Sequence, residues 1–444
     1  MADTVKDRSL IGLSWPLILT FGVGVIQPMM DSWFLSRTSE SAAAGVGALM
    51  PVLGTVFMAI QAFSQAGASI ASQFLGGNYN RHARVTQTMV ILGSFLLGIA
   101  MTFLIYPSSG EIISLMGLSG DPAKYGGEFL SLVCLGFCFR AIQTTFTALI
   151  ATHGLTVWNL IGNTLTIAFN AGMNLLFMNG IPGIIPKMGV YGVALATALS
   201  WLFSSIILWW VLRYKIGHVT LRSDIKRTRA ILPDWIRIGL PAAAEPISFE
   251  LFQVFITAMV VHLGTLAVTA RVFSANFAMF AVILSVGLGN GNQILVAHLV
   301  GAHDFKKANR RLKQSLFASS ASAGLIAVIV ALCGTRLMHI FSVNPEVIKL
   351  GAACLWCDAI LQPFKAANIV LTAALRAAGD SKFPAFVGSG MMWTLGVASA
   401  LFLCFGLHLG LIGLWLGMAC DEFFRSIANS IRWKSGAWKK YAVM

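Results

Sequence analysis

SQFLGGNYNRHA (Ser72–Ala83) returns in altered form as AHLVGAHDFKKA (Ala297–Ala308), an offset of 225 residues (297 − 72 = 225). Other landmarks keep step on either side. Trp15-Pro16 answers Leu240-Pro241, and FTALIATHG, ending at Gly154, answers LTAALRAAG, ending at Gly379, both at the same offset. MGVYG from Met188 answers LGLIG from Leu409 at 221 (409 − 188 = 221), so a loop of the second copy is about four residues shorter. Each match is short, but their common order and spacing mark an internal duplication. In an apolar chain a duplication of this size predicts two helical bundles with a site where the copies meet.

The chain is apolar enough for that reading. Hydrophobic residues make up 57% and charged residues only 11%, with a mean hydropathy of +0.78. A soluble domain carries about 25% charged residues. The apolar residues come in runs close to the roughly 20 residues that cross a bilayer as a helix. Twelve spans are predicted, six per copy. They centre near Val23, Ala59, Leu96, Phe137, Ala168 and Ile206, then near Ile256, Val282, Gly324, Ile360, Val397 and Leu416. The expected fold is an all-α membrane protein of two six-helix bundles around a central cavity. Residues 1–215 form the N-lobe, 216–235 a basic connector and 236–444 the C-lobe. The polar start, Ala2 to Arg8, and the long first apolar run do not read as a cleavable signal.

The net charge of +14 raises the question of nucleic acid, and the placement of the charges answers it. Basic residues crowd alternate loops: Arg213, Lys215, Arg222, Lys226, Arg227 and Arg229 in the connector, Lys306 to Lys313 after the eighth span, and Arg432 to Lys440 in the tail. The intervening loops hold only Arg37, Lys124, Lys187, Arg336 and Lys349. This asymmetry puts both termini in the cytoplasm. Membrane topology accounts for these charges, so no nucleic-acid partner is expected. The cysteines fall in or beside spans, and Cys354-x-x-Cys357 reads as packing within an apolar helix rather than a metal or redox motif. No cofactor or transition metal is expected.

Four acids lie within the predicted spans, where a charge costs roughly 2.5–3.5 kcal/mol to insert, and they are functional candidates for that reason. Asp31 follows Pro28 by three residues and Pro16 by fifteen. A proline withholds one helical N–H, so these two prolines equip the first helix to bend beside a carboxylate. Asn170 and Asn174 share a face of the fifth span, and Thr197 stands in the sixth; their oxygens suit a small cation, though helix–helix hydrogen bonding would use the same groups. In the second copy, Glu245 precedes Pro246, where the helix is expected to be interrupted, and Glu250 follows Pro241 by nine residues. Asp358 and Lys365, seven apart in the tenth span, face the same way and are expected to pair. Asp421 and Glu422 read as a local salt bridge to Arg425. None of these four acids has an acidic counterpart in the other copy: Asp31 aligns with Ile256, and Asp358 with Val133.

Together these residues resemble the multidrug and toxic compound extrusion (MATE) transporters, within a superfamily that also holds lipid and polysaccharide flippases. The resemblance runs along nearly the whole chain. It rests on Pro16 with Asp31, the loops at Ser72 and Ala297, Asn170-x-x-x-Asn174, GVYGVALAT with Thr197, GLP with a following glutamate, and an aspartate in the tenth span ahead of LRAAGDSKFP. It implies an antiporter that is not an enzyme, exporting small organic compounds, cationic or amphiphilic, in exchange for Na+ or H+ by alternating access. It places such a protein in the bacterial inner membrane, as a monomer in the lipid bilayer. By position, Asp31, Asn170, Asn174 and Thr197 would form the cation-coupling set, with Asp31 the possible Na+ ligand. Glu250, Glu245, Asp358 and Lys365 would form a substrate or second cation site, and Pro16 and Pro28 would let the first helix bend. Two departures stand out: Asn174 replaces an aspartate found in some branches, and the step from Pro241 to Glu250 is about one residue longer than in relatives with this glutamate, which keeps Glu245 in contention.

The alternative is a lipid-linked precursor flippase of the same superfamily. Such a protein would need a strongly cationic interior for pyrophosphate. Here the interior acids are at least as prominent as the bases Arg140, Arg271 and Lys365. A channel would need a continuous polar pore, and an intramembrane hydrolase a nucleophile with its base; neither pattern is present.

Overall fold

The computed structural model describes residues 5, 7–181, 184, 186–217 and 228–442. Arg222, Lys226 and Arg227 of the basic connector lie outside the described residues.

Apolar sequence of this kind must satisfy its backbone internally, and among the described residues it does so by helices. In chain order these are α1 (Leu10–Thr38), α2 (Glu40–Gly76), α3 (Asn80–Ile105), α4 (Ser109–Leu115), α5 (Gly120–Leu135), α6 (Phe137–Thr152), α7 (Thr156–Asn179) and α8 (Gly189–Val211). The second copy gives α9 (Thr228–His262), α10 (Thr265–Gly301), α11 (Phe305–Leu332), α12 (Gly334–Phe341), α13 (Pro345–Ala377), α14 (Lys382–Met391), α15 (Val397–Leu401) and α16 (Gly410–Lys434). Wider π turns extend α8 over Leu212–Ile216 and flank α15 at Met392–Gly396 and Phe402–Gly406.

Among the described residues ten helices are long and apolar enough to cross a membrane, and α5 with α6, bent by 54°, makes an eleventh. The last expected span is α16, 25 residues long, whose apolar run is broken by Asp421, Glu422 and Arg425. The molecule is a multi-pass membrane protein. Phe103, Phe317 and Phe386 are each more than 75% exposed, as lipid-facing side chains should be.

The expected break at Pro246 does not occur. Helix α9 runs unbroken through Pro241 and Pro246, and α1 through Pro16 and Pro28. A proline removes one amide from the ladder and crowds the previous turn, and in membrane helices that loss is tolerated where other groups take up the freed carbonyl.

The chain forms two compact units. One comprises Leu19–Ala71 and Tyr79–Gly239, and the other comprises Ser72–Asn78, Leu240–Met444 and the first helix up to Ile18. In the first, Leu35, Leu49, Ile60, Leu130, Phe137 and Trp201 form the core. The start of α9 also belongs to it: the Trp235 indole donates to the Phe63 carbonyl at 2.8 Å and meets the Phe63 ring edge-on at 5.1 Å. In the second, Phe252, Ile256, Met259, Leu355, Leu411 and Trp415 are packed together.

Inside the second unit, the ends of α2 and α10 touch reciprocally. A Cβ on Gly76 would collide with the His298 carbonyl, and a Cβ on Gly301 with the Gln73 carbonyl. Gly76 and Gly301 are equivalent in the repeat, as are Gln73 and His298. The symmetry persists in the turns that follow, where Asn78 (φ 65°) and His303 (φ 55°), also equivalent, both adopt the left-handed conformation. Asn and His tolerate that region better than most side chains.

Candidate functional site

In the first unit the sequence places three neutral residues around one acid. Helix α7 carries Asn170 and Asn174 one turn apart. Its Asn163 Nδ2 donates to the Thr20 carbonyl of α1 at 3.0 Å, and Phe169 stacks on Phe203 of α8 with centroids 4.2 Å apart. These contacts bring α1, α7 and α8 to one place. There Asp31, Asn170, Asn174 and Thr197 are all buried, with none more than 6% exposed.

Asn174 Nδ2 donates to Asp31 Oδ1 at 2.8 Å and to Asn170 Oδ1 at 3.1 Å. Thr197 Oγ1 lies 3.3 Å from Asp31 Oδ2 and 2.9 Å from the Val193 carbonyl. A hydroxyl has one hydrogen to give. When Thr197 spends it on Val193, one turn back in its own helix, its lone pairs face a carboxylate oxygen. A proton on Asp31 or a small cation between the two oxygens removes that repulsion. Among the described residues Asp31 has no ion-pair partner. The buried Asn174 Oδ1 and Asn170 Nδ2 have no hydrogen-bond partner either, so the set has an unused oxygen beside an unneutralised acid. A carboxylate with neutral amide and hydroxyl oxygens beside it suits a hard monovalent cation or a proton.

The other four candidate residues do not assemble into one cluster. Asp358, 3% exposed, accepts from Gln362 Nε2 with both oxygens at 3.1 Å and from the Trp415 indole at 3.2 Å. The expected Asp358–Lys365 ion pair is not made. Lys365 Nζ stands over the Phe249 ring, 5.5 Å from its centroid, because the carboxylate is turned to Gln362 and Trp415. Glu245 is buried and pairs with Arg376 at 2.7 Å. Glu250 is half-buried and makes no hydrogen bond or ion pair among the described residues.

The four candidate acids show no symmetry between the copies, but the bases show one. Arg140 and Lys365 stand 225 residues apart (365 − 140 = 225), at equivalent positions of the repeat. Each is a cation without an ion pair among the described residues, and each lies on an aromatic face. Arg140 is over Phe57 at 5.1 Å and Trp201 at 5.8 Å, and donates to Gln143 at 2.9 Å. The offset of 225 is the signal that would have found the pair.

The MatE family model matches the chain twice, over residues 16–176 and 241–402. The chain belongs to the MATE family. The two matches start 225 residues apart, at the two entry prolines. The family is one of transporters, not enzymes. The chain is 27% identical over 436 residues to the uncharacterized transporter YisQ of Bacillus subtilis, covering 98% of this chain and 95% of that one. It is 26% identical over 445 residues to the probable multidrug resistance protein NorM of Thermotoga maritima, covering 98% and 94%. Among solved structures, a crystal structure of MATE in the bent conformation superposes with a TM-score of 0.89 at 17% identity, covering 99% of this chain and 98% of that one. At that identity the likeness concerns the fold.

Proposed function

We propose that this MATE chain exports small organic compounds, cationic or amphiphilic, across the bacterial inner membrane in exchange for Na+ or H+. The observation that carries the reading is the buried Asp31, surrounded by the neutral groups of Asn170, Asn174 and Thr197 and without an ion-pair partner among the described residues. A fixed structural acid would be expected to have a partner, because an unpaired buried charge is costly. An acid that loads and unloads a cation needs neutral oxygens around it instead. The names of relatives such as NorM, a probable multidrug resistance protein, point the same way.

The proposed cycle uses the charge on Asp31. With the site empty, the carboxylate is negative and favours a cationic substrate in its vicinity. Loading of H+ or Na+ neutralises it and frees the Thr197 contact. Pro16 and Pro28 supply the give that lets α1 follow the change, in a scheme where N-lobe 1–215 and C-lobe 236–444 are joined by the connector 216–235 and both termini are cytoplasmic. Exchange of one H+ or Na+ for a neutral amphiphile moves one net charge, worth roughly 2.3 kcal/mol per 100 mV, whereas one-for-one exchange for a singly charged cation moves none and is driven by the ion gradient alone.

The test is efflux of a cationic dye from proteoliposomes under imposed sodium and pH gradients, applied separately. One gradient alone should drive export, and Asp31→Asn should abolish that dependence. Undiminished gradient-driven export by Asp31→Asn would refute this account of coupling.

A further inference from the structure

At one end of the second unit, α16 stops at Lys434 and the chain turns back through Gly436 (φ 68°) into a single helical turn, Ala437–Tyr441. That turn lays Trp438 on Trp433, ring on ring at 4.3 Å, and edge-on against Phe305 at the start of α11, at 5.6 Å. Both indoles are buried and both N–H groups are used. Trp438 Nε1 donates to the Trp433 carbonyl at 2.9 Å, and Trp433 Nε1 to Asn309 Oδ1 at 3.3 Å. Between α11 and the returning tail lies a cleft of about 460 Å³. The indole pair gives it an apolar wall. Lys306 and Lys313 of α11, Lys434 of α16 and Lys439 of the turn, all exposed, give it four ammonium groups. Among the described residues no carboxylate lines the cleft, and none of these four lysines makes an ion pair. The acid nearest in sequence, Asp304, caps α11 by accepting from the Lys307 backbone N–H at 2.9 Å.

Topology explains why basic residues lie on this side of the membrane, but not why four of them converge on one cleft without an acid. The cleft also borders the lipid. Phe317, four residues after Lys313 and therefore on the same face of α11, is 79% exposed. Ile431, three residues before Lys434 on α16, is 62% exposed. Each lysine thus stands one turn outside an apolar side chain turned to the bilayer, at the level of the headgroups. A fitting ligand offers negative charge to the ammoniums and an apolar portion to the indoles at the same time. Free phosphate offers only the first. One phosphodiester would leave three of the four ammoniums unmatched, and two phosphates on one headgroup match the set better.

We propose that this cleft binds the headgroup of an anionic phospholipid carrying two phosphates, taken from the leaflet on the side of the basic loops. Lys306, Lys313, Lys434 and Lys439 hold the phosphates, and the Trp433–Trp438 pair lies against the glycerol and the first part of the acyl chains. Basic pockets between membrane helices recognise such headgroups by this combination of charge and interfacial aromatics. The lipid also ties α11 to the end of α16 and its returning turn, where the cleft itself presents only like charges. Its binding does not depend on the export proposed above.

The experiment uses the full-length protein in a neutral detergent, with cardiolipin as the probe. Phosphatidylglycerol, phosphatidylcholine and inorganic pyrophosphate serve as comparisons. Native mass spectrometry reads lipid retained, and thermal unfolding reads the stabilisation that a ligand of the folded state confers. Cardiolipin should be retained most tightly and raise the melting midpoint, phosphatidylglycerol less, and phosphatidylcholine and pyrophosphate not at all. Lys313→Gln with Lys434→Gln should weaken cardiolipin binding about tenfold or more, because each lysine at an anionic membrane surface contributes roughly a fivefold gain. Lys313→Arg with Lys434→Arg keeps the charge and should keep the binding. Arg213→Gln with Arg229→Gln removes two exposed charges outside the cleft and should leave binding unchanged. Should the first pair fail to fold, Lys306→Gln with Lys439→Gln removes as much charge from the same cleft. Undiminished binding in the cleft variants, or an equal loss in the Arg213 and Arg229 pair, overturns the proposal. Stabilisation by pyrophosphate equal to that by cardiolipin overturns the lipid as its source. A protein that binds cardiolipin as expected but exports nothing overturns the export reading instead.

Discussion

Asn174 ties Asp31 to a second helix through a single amide hydrogen bond of 2.8 Å, and the same amide group also bonds Asn170. Stability and ion coupling therefore meet on one side chain. Asn174→Ala removes a donor to a buried carboxylate and leaves it short of a partner. Such losses cost about 1–3 kcal/mol. The melting temperature of the purified protein should fall, and the fall should shrink under saturating coupling ion, which neutralises the same oxygen. A melt series with and without that ion checks both.

Thr197 separates a hydroxyl's role from a methyl's. Thr197→Val keeps the shape and removes the oxygen 3.3 Å from Asp31. Loss of one contact to a charged group, about 1.5–3 kcal/mol, corresponds to roughly a tenfold or larger increase in the ion concentration needed for half-maximal efflux. Thr197→Ser should restore most of it. Ion titration of dye efflux in proteoliposomes reads the effect; equal requirements in Val and wild type would remove Thr197 from the site.

Lys365 makes no ion pair among the described residues, so its removal leaves no orphaned acid. Lys365→Met forfeits a ring contact worth about 0.5–1 kcal/mol. Thermal stability should change by no more than that. Truncating Arg376, paired with the buried Glu245 at 2.7 Å, should cost about 3–5 kcal/mol by leaving an uncompensated charge. Comparing the melting curves of Lys365→Met and Arg376→Met tests the contrast.

The close approach of Gly76 and Gly301 to backbone atoms has no flexible side chain to absorb an added methyl. Each Gly→Ala change should destabilise by about 1–3 kcal/mol, the usual cost of overpacking. Because both substitutions press on one crossing, the double variant should deviate from the sum of the singles. Denaturation of the four proteins measures the deviation.

The membrane class and the duplication were legible in the sequence because hydropathy and repeat spacing are local or periodic signals. The quartet around Asp31 was half legible: Asn170 and Asn174 are one helical turn apart, while their approach to Asp31, 143 positions away in sequence, followed from the family resemblance. The network on Arg376 was missed. Glu245 lies 131 positions from its partner, and Asn368 lies 54 from Glu422; only packing brings them together. In sequence Arg376 reads as part of the LRAAG landmark, not as a buried charge, although a lone arginine in an apolar run asks for an acid. The expected break beside Glu245 failed for a different reason. Sequence shows the missing proline amide, but not whether neighbouring groups repair the helix around it.

The contact of Gly76 with His298 and of Gly301 with Gln73 is isologous: position i of one copy meets j of the other, and j meets i. Two-fold dimers are built from contacts of this kind. Each copy alone carries both halves of the crossing, a glycine and the backbone that glycine admits. A half-length ancestor with this sequence would have been self-complementary before its gene was ever joined to itself. Joining two such halves in one chain keeps that pairing and leaves each half free to carry different charges around glycines that stay in step.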